Sequence, residues 1–382
     1  VAEVTVDAPS PDDRRFYGLD VVRLVSFFAI ATHHVSLVHY TTKTIEIAER
    51  SLVIRATEQV SRVLSFSGFT VCFLTSILTA YSGSSLAKRA RLFAFLSVGW
   101  VVFSSLMNAN DPSWLVWDVY PLIMVGVLTA TLAEMAGAGV VRVLALLGYL
   151  MLWVEWWELG VGPALPSRLA IALGFADCMD GGIEWPVLPW IGLVWCGYGI
   201  GREIRVWRAS AVARAAVSPG KRDVLQISRL EAGIWGALIV AGIPLLGSFY
   251  HINLGRFFSC EAYRQPPLTW WAHFLWPLAL MRLSLDPRVN ARLAKSRVCR
   301  WISGLAVSRK FWLAYILNYL LCYVVSWSLM TSGVEATEWN VFTIAMIAVF
   351  FLPLTELVTR GVLALWALIA ALLRDPPPAS AG

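Results

Sequence analysis

Four residues in one apolar stretch are of types that hold a charge or move a proton. The stretch from 20 to 34 reads DVVRLVSFFAIATHH, and its ionisable members are Asp20, Arg23, His33 and His34. Hydrocarbon solvates none of them well, so each asks for a reason to be there. On a helix, Arg23 and His34 are eleven positions apart. That brings them to within about 20° of one another, about 16 Å apart along the axis. Asp20 precedes Arg23 by three, the spacing at which a carboxylate and a guanidinium meet on a helix. His33 is turned about 100° from His34. One face thus carries an ion pair at its start and an imidazole further in. Neutral imidazole is the natural general base for a hydroxyl or amine proton. The same residues also fit a structural use, in which the pair orients the helix and the histidines bond to neighbouring helices.

The elements that must position them are membrane spans. The chain is 58% hydrophobic and 15% charged, against about 25% charged in soluble domains. Apolar runs recur from end to end, too many for one soluble core. The expectation is an all-α polytopic membrane helical bundle of about ten transmembrane helices. They fall near 19–40, 61–81, 92–107, 116–135, 141–159, 186–201, 230–249, 268–284, 311–330 and 340–359. With the N- and C-termini cytoplasmic, 24 of the 31 Lys and Arg fall on the inner side and seven on the outer. That asymmetry is the mark of cytoplasmic loops. The organisation expected is a cytosolic N-terminal tail over 1–18, one transmembrane domain over 19–374 and a cytosolic C-terminal tail over 375–382. The N-terminal residues lack the pattern of a cleaved signal. No internal repeat of the transporter kind is visible. Segment 167–179 is too short to span and suits the outer face. Segment 361–375 either extends the last span or lies along the inner interface. The basic segment 202–229 suits an anionic leaflet.

Other residues are candidates with two readings each. Lys88, Arg89 and Arg91, in SLAKRAR, lie on the inner side. They can hold phosphates, or serve topology alone. Glu155 and Glu158, in WVEWWELG, share a face among tryptophans near the outer rim. They can bind a sugar or mark a solvated helix end. Asn318, inside the ninth span, can bond across helices or face a substrate cavity. His39, near the outer end of the first span, reads as interfacial, and His251 and His273 carry little weight. Gly192, Gly197, Gly199 and Gly201 read as close helix packing. The 19 Trp and 11 Tyr are mostly interfacial anchors. The six cysteines form no CxxC or Cys/His spacing, so no metal site is expected. Cys178 and Cys260 are the pair that would bridge on an oxidising outer face. The net charge of +6 resides in the inner loops, so nucleic acid is not an expected partner.

LDVVRLVSFFAIATHH resembles the first-helix signature of the transmembrane acyltransferase superfamily, which includes acyltransferase-3 and heparan-glucosaminide N-acetyltransferase-like proteins. The pattern is Leu-Asp-x-x-Arg with a His eleven residues later, met by Leu19, Asp20, Arg23 and His34. FSGFTVCFLTSILTAYS followed by AKRARLF is similar to the second helix and its basic turn. WPVLPWIGLVWCGYGIGRE (185–203) and YRQPPLTWWAHFLWPLAL (263–280) resemble later segments of the heparan branch. SRKFWLAYILNYLL sits where that group carries Tyr-x-x-His; here Asn318 takes the place of the His. The resemblance implies transfer of an acyl group, commonly acetyl, from cytoplasmic acyl-CoA. The acceptor is a hydroxyl or amino group on a glycan or lipid-linked molecule at the outer face. It implies His34 as base or transient nucleophile with His33 in reserve. Asp20 and Arg23 stand at the donor's entry, and Lys88, Arg89 and Arg91 on its phosphates. The expected partners are acyl-CoA, the acceptor and the lipid bilayer, in a bacterial inner membrane, with a homo-oligomer left open. Two alternatives stay open: a proton-coupled transporter or flippase of a lipid or glycan, and a non-catalytic relative.

Overall fold

The computed structural model describes residues 17–21, 23–24, 27, 31, 67–81, 83, 85–107, 119–154, 159–161, 164, 166, 170, 173, 187–217, 226–252, 278–279, 282–331 and 341–372. Every regular element among them is a helix. The N-terminal helical segment is described from 17 to 31 in part. After it come α1 (Ser67–Tyr81), α2 (Leu86–Met107), α3 (Val119–Ala136), α4 (Ala138–Met151), α5 (Val187–Val217) and α6 (Arg229–Ile252). Then follow α7 (Pro287–Lys295), α8 (Arg297–Gly304), α9 (Ala306–Arg309), α10 (Phe311–Thr331) and α11 (Val341–Leu372). The chain forms two compact units, Phe66–Ala279 and Val1–Ser65 with Leu280–Gly382.

Among the described residues, two helical stretches are long and apolar enough to cross a membrane, Val119–Ala136 and Val349–Ala371. Their surroundings differ. The first is 61% buried within the protein and the second only 11%. α11 therefore turns Leu357, Leu365, Trp366 and Leu368 outward, an apolar area that water would penalise.

In the unit Phe66–Ala279, α5 is the hub and packs on α1, α3 and α4. Its sequence is apolar around its whole first half, which suits a helix enclosed on all sides. Glycines set how near the neighbours come. A methyl on Gly197 would stand 2.8 Å from the Phe73 carbonyl of α1, and one on Gly201 would collide with the Ile77 carbonyl. On another face, a methyl on Gly148 of α4 would stand 2.7 Å from the Gly192 carbonyl. Gly197 and Gly201 are four apart and share one face; Gly192 and Gly199 are seven apart and share another. The glycine-rich stretch is thus a pair of packing seams, as small residues commonly make between helices in membranes. Trp195 donates from Nε1 to Thr129 Oγ1 at 2.7 Å, a polar tie between α5 and α3.

Several expected boundaries move. α4 ends at Met151, short of the expected 159, closing with tight turns from Leu152 N to Tyr149 O (3.2 Å) and Trp153 N to Leu150 O (3.0 Å). Such i→i+3 bonds satisfy the last carbonyls of a helix. The basic run SLAKRAR forms the first turns of α2 rather than a connection between helices. α5 runs on through the basic residues to Val217, and α11 continues to Leu372. Of the two readings of 361–375, the described residues follow the extension of the last helix.

Candidate functional site

Asp20 and Arg23 meet as their spacing demands. Arg23 donates from Nη1 to Asp20 Oδ1 at 3.2 Å. Their side chains are 27% and 6% exposed respectively, so the carboxylate is buried and the guanidinium reaches the surface. The start of this helix is tied down locally. The Tyr17 amide donates to Asn290 Oδ1 at 3.2 Å, linking it to α7. Gly18 lies so close to Ser284 that any side chain there would collide with it. Leu19, Asp20, Phe27 and Ala31 are all buried, and Asp20, Phe27 and Ala31 recur at +7 and +11, one helical face. Phe27 meets Phe311 at the start of α10 edge-on, with ring centroids 6.0 Å apart.

Asn318 lies two turns along α10 from Phe311. It is buried and donates from Nδ2 to Thr355 Oγ1 of α11 at 3.2 Å. Thr359 in turn donates to the Thr355 carbonyl at 2.6 Å. A bond of this kind between helices in lipid contributes about 0.6 kcal/mol. A double-mutant cycle of Asn318→Leu with Thr355→Val should return a coupling of that size in thermal unfolding. Fully additive losses would remove Asn318 from this bridge. Next to Thr355, Glu356 accepts from the Ala306 and Val307 amides at 2.8 and 2.9 Å and from Arg360 Nε at 2.6 Å. Its carboxylate thereby caps α9, meeting donors that a helix start leaves unpaired.

The other unit holds a charge cluster that the sequence did not disclose. Glu134, near the end of α3, accepts from Arg205 Nη2 of α5 at 2.8 Å and pairs with Arg89 Nη2 of α2 at 2.5 Å. Tyr198 of α5 donates its hydroxyl to the same carboxylate. The Arg89 guanidinium lies 5.6 Å from the Tyr198 ring centroid. Both helix ends carry the wrong charge for their dipoles, a cation at the start of α2 and an anion at the end of α3. Neutralising one another answers both mismatches and joins three helices. Gly83 makes the turn between α1 and α2 with φ of +56°, a conformation that favours glycine. A side chain there would also press on the Arg205 guanidinium, 3.0 Å away.

The three basic residues of SLAKRAR therefore part company. The Arg89 side chain is 11% exposed and bound to Glu134. Lys88 and Arg91 are exposed, three apart on the outer side of the helix. On α4 and α5, Arg142 and Glu203 form a forked pair at 3.0 and 3.2 Å. The hydrogen-bonded Arg142 guanidinium holds the Glu203 carboxyl below its ordinary value. Sequence reading missed Glu134. The available signal was a lone carboxylate at the end of an apolar run, which needs a cation in reach. Its partners are 45 to 71 positions away, and only the fold names them.

His33, His34, Glu155, Glu158, Cys178 and Cys260 lie outside the described residues. Among the described residues no group of three or more His, Cys, Asp or Glu is placed to hold a metal ion. The chain matches no protein-family model, no curated protein and no solved structure.

Proposed function

We propose that the protein is an integral-membrane acyltransferase. It moves an acyl group, commonly acetyl in the family it resembles, from cytoplasmic acyl-CoA to a hydroxyl or amino group of a glycan or lipid-linked acceptor at the outer face. The fold it uses is the bundle of about ten spans expected from the sequence, with both termini cytoplasmic, in a bacterial inner membrane. The observation that carries the proposal is the ion pair of buried Asp20 with half-buried Arg23 at the start of the first helix, on the spacing that the acyltransferase resemblance requires.

His34 is the base in this reading. It takes the proton of the acceptor as the acceptor oxygen or nitrogen attacks the thioester carbonyl, and the coenzyme leaves as a thiol. His33 is the reserve for this role. Asn318, Glu155 and Glu158 are assigned to the acceptor.

Lys88 and Arg91 are the donor's phosphate ligands in this reading, because their charges are free to reach solvent. Arg89, held by Glu134, positions the helix that carries them. Lys88→Ala with Arg91→Ala should raise KM for the CoA donor several-fold and leave kcat nearly unchanged, the pattern of lost uniform binding. An unchanged KM would return both residues to topology. Purified protein given radiolabelled acetyl-CoA and candidate acceptors should cleave the thioester and label an acceptor. Proton-coupled flux in liposomes without thioester cleavage would favour the transporter reading instead.

A further inference from the structure

Helices α7 and α8 are too short to span and too basic to be core. Eight residues of α8 cover about 12 Å, against about 30 Å of hydrocarbon. Between 287 and 304 there are five basic residues, Arg288, Arg292, Lys295, Arg297 and Arg300, and no acid. On α7 the first three fall within about 60° of arc, and all are exposed. Val289 and Leu293, on the flank of this stripe, are half-buried.

α8 divides differently. Trp301, Val298, Ile302 and Cys299 occupy an apolar arc of about 160°, and Ser303, Arg300, Gly304 and Arg297 the remainder. The unit covers only part of the apolar arc. Ile302 and Cys299 are half-buried, whereas Val298 is 64% and Trp301 63% exposed. The segment is fixed in this attitude from both ends. Asp286 caps α7 by accepting from the Arg288 amide at 2.8 Å, and Ser296 caps α8 by accepting from the Cys299 amide at 3.4 Å. Glu356 holds the amides of α9, and Arg309 Nε donates back to the Ser303 carbonyl at 2.9 Å.

An exposed tryptophan and valine beside two arginines, on a short helix, is the composition of a helix lying in the plane of a bilayer surface. The Arg288 guanidinium is paired with Asp286 at 2.9 Å; the other four cations share this surface with no acid between 287 and 304, and such a surface selects anionic lipid among bilayers. We infer that α7 and α8 form an in-plane anchor on anionic lipid. Trp301 and Val298 enter the boundary of the acyl chains. Arg292, Lys295, Arg297 and Arg300 hold lipid phosphates. The inference rests on the membrane reading above and goes beyond it, since it assigns a lipid-binding surface to a segment otherwise counted as a cytoplasmic loop.

The test uses the full chain in nanodiscs of phosphatidylcholine, with and without phosphatidylglycerol. The contribution of Trp301 is the difference in fluorescence between the wild-type protein and Trp301→Phe. That difference should be quenched by lipids brominated high on their acyl chains and largely shielded from acrylamide in water. Quenching by acrylamide alone, in protein that has entered the discs, overturns the anchor and leaves the membrane reading standing. Protein that enters no disc overturns both. In a second measurement, Arg292, Lys295, Arg297 and Arg300 are changed to Gln. The variant should carry several-fold less phosphatidylglycerol through detergent than the wild type, read by native mass spectrometry. Equal carriage overturns the assignment of these cations to lipid phosphates.

Discussion

Replacing His34 by alanine is expected to lower acyl transfer by about 10²–10⁴-fold, the range that a positioned general base contributes. Helical circular dichroism and elution as a single species should not change. The size of the effect follows from the chemistry. A neutral hydroxyl or amine attacks a thioester poorly while it keeps its proton, and no other base is proposed on this face. If His33 does the work instead, His33→Ala produces the loss and His34→Ala does not. Wild-type turnover in both single variants and in the double variant would remove imidazole from the mechanism. Loss of Arg23 should act differently, because its guanidinium stands at the proposed donor entry and bonds to Asp20. Arg23→Ala should alter donor KM as well as turnover, whereas the general base should alter turnover alone.

The second large effect concerns stability. Glu134→Ala should destabilise the protein by about 3 kcal/mol, the scale for stranding a buried charge. Two guanidinium groups then face the same space without a counter-charge, one of them 11% exposed. Tyr198 loses its acceptor as well. Arg205→Gln should cost less, since Arg205 is 32% exposed and Glu134 retains Arg89. Adding Arg89→Gln to the Glu134 variant should recover part of the loss, because Arg89 and Arg205 then no longer face one another without a counter-charge. Thermal unfolding in detergent, followed by tryptophan fluorescence, measures all four proteins. Equal losses for Glu134→Ala and Arg205→Gln would mean that the carboxylate is not the centre of the cluster.

What the sequence disclosed was local and what it hid was distant. The pair Asp20–Arg23 was legible because three residues on a helix fix its geometry before any packing occurs. The helices at Ser67–Tyr81, Val119–Ala136 and Phe311–Thr331 fall where apolar runs are bounded by polar residues. The end of α4 was not legible. Trp153 and Val154 continue the apolar run, and nothing in their types announces the turn that begins at Leu152. The length of α5 was legible in part. The basic residues after Gly201 suit a helix on an anionic leaflet, and Arg, Glu and Ala are good helix formers; that they continue the preceding helix without a break to Val217 was not legible. The Glu134 cluster depends on three helices arriving at one place. No spacing rule connects positions 89, 134, 198 and 205. Lys88, Arg89 and Arg91 formed one candidate on charge alone, and only the ion pair to Glu134 separates the middle residue from the other two.

In the proposed reaction an acyl group passes from a donor on one side of the membrane to an acceptor on the other. The most direct measurement confines the two. Proteoliposomes of uniform orientation receive radiolabelled acetyl-CoA at the face bearing Lys88 and Arg91, and the acceptor is enclosed at the opposite face. Labelled acceptor should accumulate inside while free coenzyme A thiol accumulates outside in equal amount, and His34→Ala should abolish both. If the label stays on the coenzyme, or reaches the acceptor only when both share a compartment, the proposed transfer across the membrane is wrong.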